Sequence, residues 1–324
     1  MPLRRKSRVD CIARLGPITL PNPIITASGT YGHSDEVARL GDPSKLGAVT
    51  VKSLSSFPWP GNPSPRVYAT PAGMLNSVGL QNPGVEHWRE RELPALRARG
   101  ARVIASIWGR TFEEFAAAAA AIAMAKDQLV AVEVNVSCPN LEDRSRMFAH
   151  SAEATSSAVM AVVKNAGGLP VFTKLSPNVS DLGEIAAAAV DAGSTGLPLV
   201  NTLMGSAIDV ERRKFRLGAG GGGLSGPAIH PVAVRCVYET AQALPGTPII
   251  GTGGVARAID AVEMILAGAS AVGVGTATFR DPRAAEKIAR ALSTWCARHG
   301  VERVADLVGA VERPGAPGPP VARP

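Results

Sequence analysis

The stretch Val134-Asn135-Val136-Ser137-Cys138-Pro139-Asn140 sets one thiol between two carboxamides, just past a strand-like run and directly before a proline. A structural cysteine usually has apolar neighbours and stays inert, whereas a thiol in a polar loop at a strand end can titrate and react. Asn76, Asn201, Lys52 and Lys174 occupy similar strand-end contexts elsewhere in the chain. Residues of these types at strand ends suit chemistry rather than packing.

Glycines carry a second signal. Gly251-Thr252-Gly253-Gly254 and Gly273-Val274-Gly275-Thr276 each close a strand-like run. Such loops let backbone N–H groups approach phosphate oxygens, and a following helix N-terminus adds a favourable dipole, although the same glycines can simply turn tight strand-to-helix loops. Leu224-Ser225-Gly226-Pro227, before another helical stretch, offers a third group of donors.

Strand periodicity constrains the lysines. Phe172 and Lys174 fall on one side of their run, and Val171, Thr173 and Leu175 on the other. With the aliphatic side against helices, Lys174 points inward, where an amine needs an anion or an electron-rich ring. Glu133 and Asn135 share a side by the same rule, so a buried Glu133–Lys174 pair is the structural alternative. Lys52 follows the same positional logic.

The elements that position these residues alternate between short β-branched runs and longer Ala-rich helical stretches, the pattern of parallel strands with crossover helices. Eight strands are expected, at 24–28, 48–52, 102–107, 130–136, 171–175, 196–200, 248–251 and 271–274. Helices at 112–125 and 180–192 are the clearest of the connections, the second opening with a capping-type Ser180-Asp181-Leu182-Gly183-Glu184. No GxGxxG turn follows the first strand, so the pattern predicts an α/β fold, a (β/α)8 TIM barrel with long loop insertions at the C-terminal face of the strands. Those insertions are expected at 53–84, at 140–150 as a charged lid, and at 202–226. Residues 1–309 form one domain in this reading, and the Pro- and Gly-rich segment 310–324 a disordered tail.

The 324 residues are 46% hydrophobic, 19% charged and 4% aromatic, which allows one large barrel and excludes general disorder. The net charge of +7 is spread between Arg4-Arg5-Lys6 and scattered arginines, and reads as a basic solvated surface rather than a nucleic-acid site. Cys11, Cys138, Cys236 and Cys296 include no CxxC pair, so neither a metal site nor a disulfide framework is expected, and a reducing cytoplasm is the default. No apolar run reaches the ~18 residues needed for a membrane span, and the start is too interrupted for a signal peptide.

The strings Ala27-Ser28-Gly29-Thr30, Met74 to Gly84, Asn135 to Asn140, Lys174-Leu175-Ser176-Pro177-Asn178 and Asn201-Thr202-Leu203-Met204-Gly205 occur in an order that resembles dihydroorotate dehydrogenase, class 1, and within it the class 1B catalytic subunit. The likeness runs from residue 12 to about 308. It implies an FMN-dependent enzyme that oxidises dihydroorotate to orotate in pyrimidine synthesis. It also implies that Cys138 removes the C5 proton while hydride passes from C6 to the flavin. A thiol of reference pKa about 8.5 leaves a useful thiolate population near neutrality.

The resemblance assigns substrate contacts to Lys52, Asn76, Ser77, Val78, Gly79, Leu80, Asn135, Asn140, Asn201 and Thr202. Cofactor contacts fall to Ser28, Lys52, Ser53, Asn135, Lys174, Val200, Gly226, Gly253, Gly254, Gly275 and Thr276, and no metal is implied. A homodimer is implied, and a separate subunit carrying FAD and a [2Fe–2S] cluster that passes electrons to NAD, although this chain has no motif for either group. Two stretches depart from the family pattern. Ser106 stands where relatives carry an asparagine, with Trp108 beside it, and Glu142-Asp143-Arg144-Ser145-Arg146-Met147 replaces a glycine-rich loop. The nearest rival is a dihydropyrimidine dehydrogenase-like subunit acting on uracil or thymine, which would not need Lys52 at the substrate end.

Overall fold

The computed structural model describes residues 9–137 and 147–312. Eight short parallel strands organise it: β1 (Ile24–Thr26), β2 (Val49–Thr50), β3 (Val103–Ile107), β4 (Ala131–Asn135), β5 (Val171–Lys174), β6 (Leu197–Leu199), β7 (Ile249–Thr252) and β8 (Ala271–Val274). Each lies within or one residue beyond a run expected to be a strand. They form two four-stranded parallel sheets, ordered β2-β3-β4-β5 and β6-β7-β8-β1. Parallel bridges join the sheets at both margins, Ile25 with Ala48 at one and Phe172 with Gly196 and Leu175 with Leu199 at the other. Backbone bonds support these seams, including Thr26 N–H to Ala48 O at 3.2 Å and Thr173 N–H to Gly196 O at 3.0 Å.

Helices follow most of the strands, and their local sequences explain their starts. Thr111 caps Phe112–Ala123 by accepting from the Glu114 N–H, and Ser151 caps Ala152–Asn165 in the same way from Ala154. The helix expected at 180–192 runs Leu182–Asp191, with Asp181 rather than Ser180 as its capping side chain. After β1 the described chain has only the 3-10 turn Pro43–Lys45 before β2. No described helix is long and apolar enough to cross a membrane.

Alternation along the strands produces two cores. Val132, Val134, Val171 and Leu175 pack toward the helices in a large outer cluster. Ile25, Ala48, Ile104, Ala131, Phe172, Ile250 and Ala271 meet in an inner one. This inner cluster is closed by Ala13, Leu15 and Leu20 from an antiparallel hairpin, Ala13–Leu15 with Ile18–Leu20. Three-residue strands carry too little alternation to reveal that plug in the sequence.

The insertions at 53–84 and 202–226 are not independent loops. Leu203–Ser206, Gly221–Ser225, Gly73–Asn76 and Val67–Thr70 form, in that order, one four-stranded antiparallel sheet. Gly223 pairs with Asn76, and a Cβ at Gly223 would collide with the Thr202 side chain. From Gly221 the glycine run is therefore strand, and at Gly222 and Gly223 the neighbouring Asn76 and Thr202 leave no room for a side chain. Of the segment read as a lid, Phe148–His150 is a 3-10 turn with Phe148 packed edge-on to Phe112 and Phe115, while residues 140–146 lie outside the described residues. In the segment read as a tail, Ala310 and Val311 donate backbone bonds to Leu307 and Leu266, and 313–324 lie outside the description.

A candidate active site at the C-terminal ends of the strands

One cavity of about 1580 Å³ opens where the eight strands end, and every one of them contributes lining residues. Ser28 follows β1, Lys52 and Ser53 follow β2, and Asn135 ends β4. Lys174 ends β5, Val200, Asn201 and Thr202 follow β6, Gly253 and Gly254 follow β7, and Gly275 and Thr276 follow β8. The antiparallel sheet and its flanks add Asn76, Ser77, Val78, Gly79, Leu80 and Gly226. All the described residues expected at the site thus line one space. Cys138 and Asn140 lie outside the described residues.

Strand register builds a polar tier over the apolar one. Ser106 stands two residues above Ile104, Glu133 two above Ala131 and Lys174 two above Phe172, on the faces that meet in the inner core. A chain of hydrogen bonds crosses this tier. Glu133 Oε1 accepts from Ser106 Oγ at 3.0 Å, and the Ser106 and Ser53 hydroxyls lie 2.9 Å apart. Asn135 Nδ2 donates to Ser53 Oγ at 3.2 Å, and Asn201 Nδ2 donates to Asn135 Oδ1 at 3.3 Å. Asn201 Oδ1 accepts from the Thr202 N–H at 2.8 Å. The two asparagines are thus held at set angles to the cavity rather than left to rotate.

Lys174 bonds Ser28 Oγ at 2.9 Å, so the Glu133–Lys174 pair allowed by the sequence does not form. The register gives the reason: Glu133 lies opposite Phe172, and Lys174 opposite Asn135. Lys52 is a second amine at the strand-end floor of the cavity, apart from Lys287 at its rim. Burial, and then the Lys174 ammonium, bring the pKa of Lys52 down from 10.5 to about 8. His33 stands close enough to feel that charge, and burial followed by Lys52 lowers its pKa to about 4, so it is neutral at pH 7. Two amines in a partly desolvated cavity call for an anionic or electron-rich occupant.

The glycine loops occupy the side of the cavity nearest β7 and β8. Gly253 and Gly254 have φ of +138° and +72°, and a Cβ at Gly254 would lie 2.5 Å from that of His230. His230 Nδ1 contacts Gly253 O at 2.8 Å and its Nε2 contacts Glu263 at 3.2 Å, tying the loop to two helices, His230–Ala243 and Ala258–Ala267. Thr276 Oγ1 donates to Ser225 Oγ at 2.8 Å, which fastens the loop after β8 to the antiparallel sheet. Glycine backbone beside helix starts suits a phosphate, and amines beside carboxamides suit a planar ring carrying negative charge. This donor set fits a phosphorylated flavin.

Sequence reading left His33, His230 and Asn178 without roles. Asn178 donates to Thr202 O at 2.9 Å and accepts from the Met204 N–H at 2.9 Å, bracing the loop after β6. It belongs to the Lys174–Asn178 string, so its presence there was the available signal; His33 and His230 carry no spacing signal. No cluster of three or more metal-ligating side chains occurs among the described residues.

Comparison with known proteins gives one consistent family. The family model described as dihydroorotate dehydrogenase matches residues 13–295. The catalytic subunit of dihydroorotate dehydrogenase B (NAD(+)) from Pelobacter propionicus is 46% identical over 303 residues, covering 94% of this chain and 99% of that protein. Its counterpart from Desulforamulus reducens is 45% identical with the same coverage. That from Geobacter sulfurreducens is 43% identical over 94% of this chain and 98% of its own length.

Proposed function

The chain belongs to the dihydroorotate dehydrogenase family, and from that premise we propose that it is the catalytic subunit of a flavin-dependent enzyme oxidising (S)-dihydroorotate to orotate in pyrimidine biosynthesis. The observation that carries the reading is the convergence of Asn135, Asn201, Lys52 and Lys174 on one cavity, with glycine loops at its far side. The two sheets joined at both margins support a complete (β/α)8 barrel, one domain over residues 1–309, as the scaffold.

FMN, when bound, supplies the hydride acceptor. Gly226, Gly253, Gly254, Gly275 and Thr276 would hold its phosphate, with Ser28, Ser53, Val200 and Lys174 around the ring. Lys174, oriented by Ser28, would supply positive charge to stabilise the negative charge of a reduced flavin ring. Asn76, Asn135, Asn201 and Thr202, with Ser77 to Leu80 and Asn140, would hold the pyrimidine by matched donors and acceptors, and Lys52 would face its carboxylate. Asn135 and Asn201 are already cross-bonded, so they lose little freedom on binding. Cys138 is the proposed base at C5, following Ser137, whose backbone N–H is fixed by Asn135 Oδ1 at 3.1 Å.

The relatives' name as catalytic subunits of an NAD(+) enzyme supports a separate electron-transfer subunit carrying FAD and [2Fe–2S]. We propose that the chain forms a cytoplasmic homodimer with that partner. The discriminating experiment compares orotate and uracil binding. Orotate should bind more tightly, and Lys52→Ala should erase the difference; equal binding of both by the unaltered protein would reject a dihydroorotate site.

A further inference from the structure

Glu133 is a carboxylate buried without a cation. It is 5% exposed on the inward face of β4, with Ser106 opposite it on β3 and Phe172 opposite it on β5. Among the described residues no lysine or arginine pairs with it, the inward Lys174 bonding Ser28 instead, and its hydrogen-bond donor is the fully buried Ser106 hydroxyl. Neither Ser106 nor Glu133 lines the cavity. A carboxylate placed beside an apolar core without a counter-charge costs stability, and an uncharged side chain would pack there without that penalty.

The carboxylate sets direction. It only accepts, so Ser106 commits its single hydroxyl proton to Glu133 Oε1. The Ser53 hydroxyl, 2.9 Å from Ser106 Oγ, is then the donor of that contact. Ser53 Oγ is left to accept from Asn135 Nδ2 at 3.2 Å, and Asn135 Oδ1 accepts from Asn201 Nδ2 at 3.3 Å. Backbone donors fix the other end of the chain, Ser137 N–H on Asn135 Oδ1 and Thr202 N–H on Asn201 Oδ1. The two hydroxyls between these ends are the rotors, and the carboxylate removes their freedom. With no acceptor at position 133, Ser106 can donate to Ser53, and Ser53 can turn its proton onto Asn135 Nδ2, setting donor against donor beside the cavity.

We propose that Glu133 is a positioning residue that, through the Ser106 and Ser53 hydroxyls, holds the Asn135 and Asn201 carboxamides in the orientation that receives the pyrimidine acid. This rests on the dihydroorotate reading of the cavity. Carboxamides fixed before the substrate arrives lose little freedom on binding it, so a residue that never touches the substrate contributes to its affinity.

The test is equilibrium titration of flavin-loaded variants with orotate, read by flavin absorbance. Glu133→Met, of similar length but without an acceptor, should weaken orotate binding about tenfold with flavin retained, whereas Glu133→Gln, which keeps an acceptor oxygen for Ser106, should stay within about threefold of the unaltered protein. Ser106→Ala breaks the same chain one link later and should weaken binding by a factor similar to Glu133→Met. Combining the two should add little, because both remove one path. A residue that only supports the fold would lower the urea midpoint and leave orotate affinity unmoved. Orotate binding within about twofold of the unaltered protein in both Glu133→Met and Ser106→Ala would overturn the proposal, as would a double variant whose loss is the product of the single losses, or Glu133→Gln as weak as Glu133→Met. Where Glu133→Met yields no folded protein, Ser106→Ala carries the test alone. Bleaching of the unaltered protein's flavin by dihydroorotate, run in parallel, separates this failure from failure of the functional reading.

Discussion

Raising the pH from 7 to 9 should weaken orotate binding through Lys52. The ammonium is the group placed to meet a carboxylate, and burial together with Lys174 brings its pKa to about 8. Near pH 7 roughly nine-tenths of the ligand-free protein carries the charge, and near pH 9 roughly one-tenth, so affinity should fall about tenfold, or about 1.4 kcal/mol. The sign for folding is opposite. The unfolded chain keeps this proton up to about 10.5 while the folded chain releases it near 8, so the unfolded state binds more protons between those values. The ligand-free protein should therefore gain stability from this group as pH rises through that window, while losing affinity. The assay is orotate titration of the flavin-loaded protein at several pH values and fixed ionic strength, in a Cys138→Ser background that removes the thiol as a second titrating group. Lys52→Ala should flatten the profile. A pH-independent affinity in the protein that retains Lys52 would refute the assignment.

Other perturbations probe the surrounding scaffold. Ser106→Ala removes the hydroxyl between Ser53 and Glu133 and leaves a buried carboxylate oxygen without that donor; the urea midpoint should drop by the equivalent of about 1–3 kcal/mol, and an unchanged midpoint would contradict the role given to the polar chain. Gly223→Ala forces a methyl into Thr202, so orotate affinity should fall about tenfold or more while flavin is retained; unaltered affinity would dissociate Thr202 from the substrate. Cys138→Ser should keep the yellow flavin and lose most turnover near neutral pH, because a hydroxyl is a far weaker base; full activity would remove Cys138 from the mechanism.

The strands were legible because β-branched runs such as Val130 to Val136 are bounded by turn residues and separated by helical stretches. Ser28, Lys52, Asn135, Lys174, Asn201 and the glycines after β7 and β8 were legible because each sits at or just past the end of such a run, where this architecture gathers its loops. Long-range pairing was not. Lys174 and Ser28 are 146 residues apart, and Asn76 and Gly223 are 147 apart, so no local pattern shows that they touch. The inward side of Lys174 followed from period two, but its partner depended on register, which sets Lys174 beside Asn135 and Glu133 beside Phe172. The glycines at 221–223 read as a loop because glycine is a strand breaker by propensity; close approach of Asn76 and Thr202 overrides that preference.

The central claim is that this cavity takes electrons from dihydroorotate. Anaerobic mixing of the flavin-loaded chain with dihydroorotate, followed at the visible flavin maximum, tests it most directly. Rapid bleaching with dihydroorotate and none with dihydrouracil is the predicted result; flavin that stays oxidised with dihydroorotate would contradict the account.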